Sequence, residues 1–357
     1  MKVVHLGLLL DAAHREPAAL MQAWPTQVAV AEAAAGAGCE IAVFQACHRE
    51  ALLERDGVRH RFMPIAAMAR ALAGEKPDLL HVHGLQFGRE LLALPRLPTL
   101  LQDHANAPPR RPLPWLHARR SFSRSRGLLF CASEQALPFR RRGLLSQGTR
   151  VHEVAESSSS FAPMDRAAVR GLTGLAGDPA LLWVGHLDDN KDPLTVLEGV
   201  ALAAERLAQL QLWCCFGQAP LLHEVQQRIA TDARLAGRVH LLGPQPHERI
   251  ELLMNAADFL VQGSHREGSG YALIEALACG LTPLVSDIPS FRALTGRGTV
   301  GRLWPCGDAG ALAQAITTAA TEAREPMRRR ARAHFEALLS PAALGQRLRS
   351  VYEQALS

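Results

Sequence analysis

The sequence predicts an α/β protein made of two Rossmann-like, doubly wound domains. Short apolar runs alternate with amphipathic stretches, the βαβ pattern that builds a parallel sheet. The alternation stops at a serine-rich stretch, E-S-S-S-S-F-A-P-M at 156–164, and then restarts. A chain of 357 residues also exceeds what one core ordinarily fills. The expected domains are 1–160 and 161–335, facing across a cleft, with a C-terminal helix in 336–357 that crosses back onto the first domain.

In the first half, 3–10 is a continuous apolar run, as strands buried on both faces are. The alanine-rich segment 24–38 reads as a helix stopped by Gly36 and Gly38. A strand follows at 41–46, a helix at 66–74, and then K-P-D-L-L-H-V-H-G, a strand ending in His81 and His83. Strand 99–102 runs into Asp103 and His104, and strands at 128–132 and 151–154 complete the half. Ligands of open α/β sheets sit beyond the carboxyl ends of the strands, so His81, His83, Asp103 and His104 are expected along that edge. In the second half the strands are 181–185, 210–216, 238–242, 258–262 and 282–285. The helices between them are 193–208, 220–230, 247–255 and 270–279. A basic helix from Pro326 and a last helix at 341–355 follow.

Composition narrows the function classes. The net charge of +5 is mild, and only Lys2, Lys76 and Lys191 are lysines among the 39 basic residues. Diffuse arginine basicity gives no reason to expect a nucleic-acid partner. The seven cysteines show no C-x-x-C pair and no zinc spacing, which reads as reduced thiols in a cytoplasmic protein. The N-terminal apolar run meets charge too early for a signal peptide, and no stretch is apolar enough to span a membrane.

The most informative stretch is 264–280, S-H-R-E-G-S-G-Y-A-L-I-E-A-L-A-C-G. Glu267 and Glu275 have seven residues between them, and Gly268 and Gly270 follow the first. A helix opening near Ser269 would offer free N–H groups and a positive dipole end, which attract phosphate. Carboxylates beside such a site are poor phosphate ligands but good acceptors for sugar hydroxyls. The local reading is a sugar–diphosphate site.

Neighbouring motifs extend that reading. V-G-H-L-D-D-N-K-D-P-L-T-V-L (184–197) resembles the glycine-lysine loop of the family 4 glycosyltransferases of GT-B fold. L-L-M-N-A-A-D-F-L-V-Q-G-S-H-R-E-G-S-G-Y-A-L-I-E-A-L-A-C-G (252–280) resembles their E-x7-E signature, and D-I-P-S-F-R-A-L and G-R-L-W-P-C-G-D follow in family order. The likeness is dense over 180–310 and thinner over 1–160. It implies a retaining hexosyltransferase that uses a UDP- or GDP-linked sugar donor, requires no metal, and glycosylates a hydroxyl on a glycan, a lipid-linked molecule or a small molecule. By resemblance, Glu267 contacts the donor sugar and Glu275 the ribose. Ser269, Gly270 and Tyr271 hold the diphosphate through backbone N–H groups, and Lys191 is its main cation. Pro244 and Gln245 lie near the base, and His104 stands on the acceptor side. Two departures stand out. His186 occupies a position where the family usually has arginine, an always-charged bidentate phosphate ligand. After Leu10 the chain reads D-A-A-H-R-E-P, without the family's glycine-rich first loop.

Other signals have competing readings. His81-x-His83 with a nearby Asp has a metal-like look, but no second ligand cluster supports it. The stretch 108–142 carries nine arginines among Leu113, Trp115, Leu116 and Phe122. It reads either as a solvated helix face or as a basic amphipathic segment for peripheral contact with the inner face of a membrane. The rival functions are a sugar-nucleotide epimerase on the same scaffold and a non-catalytic binding protein. Nothing favours an NAD enzyme, because no G-x-G-x-x-G follows the first strand.

Overall fold

The computed structural model describes all 357 residues, which form two compact units, Met1–Ser158 with Pro341–Ser357 and Ser159–Ser340. The first unit runs β1 (Lys2–Gly7), α1 (Pro17–Ala23), α2 (Pro25–Gly36), β2 (Glu40–Ala46), β3 (Ala51–Arg55), β4 (Val58–Met63), α3 (Ile65–Glu75), β5 (Leu79–His83), α4 (Gly88–Leu92), β6 (Thr99–Gln102), α5 (Pro112–Arg124), β7 (Gly127–Phe130), α6 (Leu137–Arg141) and β8 (Val151–Glu153). Its sheet has the order β3-β4-β2-β1-β5-β6-β7-β8. Every pairing is parallel except β3 with β4 at the edge.

Several expectations need correction here. The first strand ends at Gly7 rather than Leu10, and Leu9 and Leu10 are exposed. The helix expected over 24–38 is α2, and the short helix α1 before it was not anticipated. Trp24, held by the following Pro25, has φ −122° and ψ 64° and cannot continue a helix. The hairpin β3–β4 was not anticipated, although its signal is in the sequence: Asp56 and Gly57 have φ of 50° and 76°, the two positive values that a tight Asp-Gly hairpin turn requires. The basic stretch is not one amphipathic segment. It is divided among α5, β7 and α6, and Arg140 is spent on the carbonyls of Ser146 and Thr149. The serine-rich linker is irregular as expected, yet Glu156, Ser157, Ser158 and Ser159 are buried rather than solvated.

The second unit runs α7 (Arg166–Thr173), β9 (Ala180–Val184), α8 (Pro193–Ala204), β10 (Gln211–Cys215), α9 (Leu222–Thr231), β11 (Val239–Gly243), α10 (His247–Ala256), β12 (Phe259–Gln262), α11 (Tyr271–Ala278), β13 (Thr282–Ser286), α12 (Pro289–Leu294), β14 (Arg302–Trp304), α13 (Ala309–Ala320) and α14 (Arg324–Leu338). The strand order is β11-β10-β9-β12-β13-β14, parallel throughout. The chain builds outward from β9 through β10 to β11, then crosses to lay β12 on the other side of β9. That reversal is the topological switch point at which such sheets bind ligands. At the opposite end of β12, buried Asp258 accepts the N–H of Ala180 at 2.8 Å and pairs with Arg166, Arg170 and Arg324. One carboxylate thus anchors α7 and α14 to the foot of the sheet, and three cations offset the cost of burying it.

The last helix, α15 (Pro341–Leu356), belongs to the first unit and packs on α2. The two approach closely because Gly345 faces the backbone of Ala33; a Cβ there would lie 2.1 Å from the Ala33 carbonyl oxygen. No helix is long and apolar enough to cross a membrane. Gly345→Ala should therefore push α15 off α2 and lower stability by about 1–3 kcal/mol, the usual penalty of overpacking. Chemical denaturation checks this, and an unchanged midpoint would show that the crossing is not tight.

Candidate active site

The loops leaving β9 and β12 lie side by side because those strands are neighbours, and together they carry most of the expected site residues. Loop 185–192 is stitched to loop 263–270 by polar contacts. The His265 N–H donates to the Asn190 carbonyl at 2.8 Å, the Asn190 amide donates to the Arg266 carbonyl at 3.0 Å, and His265 Nε2 lies 3.0 Å from Asp192 Oδ2. Lys191 Nζ closes the seam by pairing with Glu267 Oε1. The lysine backbone is fixed as well, since its N–H donates to Asp188. Asp192 caps α8 by accepting the Thr195 N–H at 3.2 Å. Helix α8 therefore already has its anion, and Lys191 points to Glu267 rather than lying idle on the surface.

Helix α11 opens where expected, and Gly270 shows why. It has φ +82°, the left-handed region that favours glycine, and a Cβ would meet the Phe291 ring at 2.6 Å. The chain thus turns into α11 with the first N–H groups of the helix unpaired within it. Ser269 is buried, and its Oγ has no hydrogen-bond partner. An unpaired hydroxyl beside a helix N-terminus suits an oxygen-rich anion.

One turn into α11, Glu275 is buried and pairs with Nε2 of His247, the first residue of α10. Burial pushes the Glu275 carboxyl up, against the opposing pull of His247. Glu275 in turn raises His247 above the ordinary imidazole value. The His247 ring lies 4.6 Å from the Phe161 ring and stacks 6.4 Å from Tyr271, whose phenol is pushed up to about 12 by burial. Sequence reasoning missed His247, because nothing in the spacing of positions 247 and 275 pairs them. Pro244 and Gln245 follow β11 as expected, with the Gln245 amide donating to the Leu242 carbonyl at 2.8 Å. His186 is exposed, and its Nδ1 accepts the Gln218 N–H at 3.1 Å, which leaves Nε2 as the outward atom.

His104 lies in the other unit, after β6, and neither ring nitrogen is free: Nε2 is 3.1 Å from His83 and Nδ1 is 3.0 Å from Glu156. Asp103 beside it is buried, which pushes its carboxyl up to about 7. His81 and His83 do not line an open edge. Both are buried, because β5 sits between β1 and β6 and Tyr352 of α15 covers His81. A cavity of about 650 Å³ in this unit touches Pro98, Thr99, Ser125 and Arg126 at the amino ends of β6 and β7, away from the histidines.

Residues 170–334 match the family model for glycosyl transferases group 1. D-inositol 3-phosphate glycosyltransferase of Mycobacteroides abscessus is 36% identical over 130 residues, 35% of this chain and 28% of that protein. 2-Deoxystreptamine N-acetyl-D-glucosaminyltransferase of Streptomyces fradiae is 27% identical over 280 residues, 70% of this chain and 64% of that protein. The chain therefore spans less than two thirds of the length of these relatives. Among solved structures, sucrose-phosphate synthase from Thermosynechococcus elongatus superposes with a TM-score of 0.72 at 18% identity, over 99% of this chain and 98% of that one. HepE of Anabaena, solved with UDP and glucose, gives 0.69 at 17% identity, over 99% of each chain. The superpositions show the GT-B fold over nearly the whole chain, and the likeness to glycosyl transferases group 1 lies in residues 170–334.

The His247–Glu275 pair has a definite pH signature. A histidine raised on folding contributes stability that is complete below its ordinary value of 6.5 and is lost as pH rises through its folded value. Glu275, also raised, likewise favours the fold at lower pH. The thermal midpoint of the wild type should thus exceed that of His247→Ala by more at about pH 6 than at about pH 9. A gap independent of pH would show that His247 does not titrate against Glu275.

Proposed function

We propose that the protein transfers a hexosyl group from a nucleotide diphosphate sugar, UDP- or GDP-linked, to a hydroxyl acceptor, with retention and without a metal. The observation that carries the reading is the opening of α11: a left-handed Gly270, a buried unpartnered Ser269 hydroxyl, and the Lys191–Glu267 pair from the adjoining loop. Bond breaking at the anomeric carbon leaves negative charge on the diphosphate. Backbone N–H groups of Ser269, Gly270 and Tyr271 and the dipole of α11 stabilise that charge from fixed positions. Lys191 moves from Glu267 to the β-phosphate, and the released Glu267 carboxylate accepts from the sugar hydroxyls. The exchange costs little, because each charge leaves one partner for another. With a cation and a helix terminus neutralising the leaving group, the chemistry does not call on a divalent ion.

Glu275 accepts from the ribose hydroxyls, and His247 holds it in place. The base lies by Pro244 and Gln245. His186 donates to phosphate through Nε2, a weaker substitute for arginine because it offers one N–H rather than a bidentate pair. Family 4 membership and retention are supported by the E-x7-E motif. His104 marks the acceptor side without serving as a base, since both its nitrogens are committed. The exposed arginines of α5, beside exposed Leu113 and Leu116, are where an anionic membrane surface or phosphorylated acceptor would make contact.

Glu275→Ala should weaken donor binding while leaving kcat largely intact, whereas Lys191→Ala should lower kcat roughly 100-fold or more. Steady-state kinetics with a nucleotide-sugar panel checks both. Turnover of the donor into an epimer without any acceptor would favour the epimerase reading. Absence of calorimetric binding to either UDP or GDP at millimolar concentration would favour the non-catalytic one.

A further inference from the structure

The first unit contains a continuous chain of side-chain contacts outside the donor site. The Gln102 side-chain amide is 2.9 Å from His81 Nε2, and His81 Nδ1 is 2.7 Å from the Tyr352 hydroxyl. That hydroxyl is 3.0 Å from His5 Nε2, and His5 Nδ1 is 3.2 Å from His83 Nε2. His83 Nδ1 is 3.1 Å from His104 Nε2, and His104 Nδ1 is 3.0 Å from Glu156 Oε2. Strand register makes this possible, since β1 and β5 set His5 beside His81, and β5 and β6 set His83 beside Gln102.

Counting protons leaves two ways to fill the chain. There are six contacts and five members that each carry one proton when neutral: His81, Tyr352, His5, His83 and His104. Glu156 as a carboxylate only accepts, so the sixth proton must enter at the Gln102 end or ride as a second proton on a histidine. Burial drives His5 and His83 well below the ordinary imidazole value and His81 down to about 3, so these three do not hold a second proton, and the sixth sits either on His104 or at the Gln102 end. Burial also holds the Tyr352 hydroxyl well above its usual range, so its proton stays. The amide of Gln102 decides for its own end: with its oxygen toward His81, the amide nitrogen is buried with no partner. Turning the amide by 180° keeps its shape, gives the stranded nitrogen an acceptor in His81, and supplies the missing proton.

We propose that Gln102, His81, Tyr352, His5, His83, His104 and Glu156 form a one-way hydrogen-bond relay in which Tyr352 of α15 fixes the tautomer of His81 and Glu156 that of His104. Every histidine in it is the neutral Nδ1–H tautomer, each donating toward Glu156. The relay turns His104 Nε2 inward and aims its N–H at Glu156, so the ring at the end of β6 stays in one orientation. The other titratable groups beside the relay are Asp103 at its outer end and His60 and Cys39 near its inner members. His5, His81 and His83 also have ring nitrogens within 4.8 Å of one another, as a three-histidine metal centre would need. Yet all six of their ring nitrogens are already engaged in the contacts above, which the relay explains and a metal does not.

The link to acceptor chemistry rests on the transferase reading of His104, but the test does not. Long-range 1H–15N spectra of the substrate-free, histidine-labelled protein report each ring's tautomer. The relay predicts Nδ1–H for His5, His81, His83 and His104 together, although isolated imidazole favours Nε2–H. In Tyr352→Phe, His81 loses its hydroxyl acceptor and should revert to Nε2–H, donating to the Gln102 oxygen, while His104 keeps its tautomer against Glu156. Val351→Ala, which loosens α15 without touching the relay, should leave His81 unchanged. An Nε2–H tautomer at any of the four in wild type, a doubly protonated His104, an unmoved His81 in Tyr352→Phe, or stoichiometric zinc by elemental analysis would overturn the proposal.

Discussion

The ion pair between Lys191 and Glu267 is the contact on which the candidate donor site depends. It joins the loop after β9 to the loop after β12, and it exists only because the second sheet reverses direction there and makes those strands neighbours. With the two loops sewn together through Asn190, Asp192 and His265, Gly270 can turn the chain into α11 at one defined place. The charges balance locally: Lys191 faces Glu267, Glu275 faces His247, and Asp192 caps α8. In the proposed reading, a diphosphate entering this site would meet positive charge already held in place by Glu267. Preorganisation of this kind is the usual source of electrostatic catalysis.

The second unit was largely legible in the sequence, because its information is local. Helix α11 could be read from two glycines followed by a small-residue amphipathic run, and Lys191 from being one of three lysines next to a helix start. Glu267 and Glu275 stood out as a pair by their spacing, and the separate roles expected of them came from the family resemblance alone. What escaped was contact across sequence distance. His247 meets Glu275 only after α10 and α11 pack, and the three arginines around Asp258 come from α7 and α14. No periodicity encodes either.

The first unit was read less well, for two physical reasons. Proline and Asp-Gly punctuation was passed over, so α1, which opens at Pro17, and the β3–β4 hairpin went unread. More consequentially, the histidines were expected along an open edge, where polar strand ends usually point. Instead they are interior, stabilised in burial by bonding to one another and to Tyr352, some 270 residues further along the chain from His81. Buried polar groups need partners, and here the partners are each other. His104 is accordingly one end of an internal network as much as a surface residue.

The central claim is that the opening of α11, backed by Lys191, receives the diphosphate. A crystal structure with UDP or GDP bound tests it most directly. The account predicts the β-phosphate against the backbone N–H groups of Ser269, Gly270 and Tyr271, with Lys191 drawn off Glu267 onto it. A diphosphate bound elsewhere, with the Lys191–Glu267 pair intact, would contradict it.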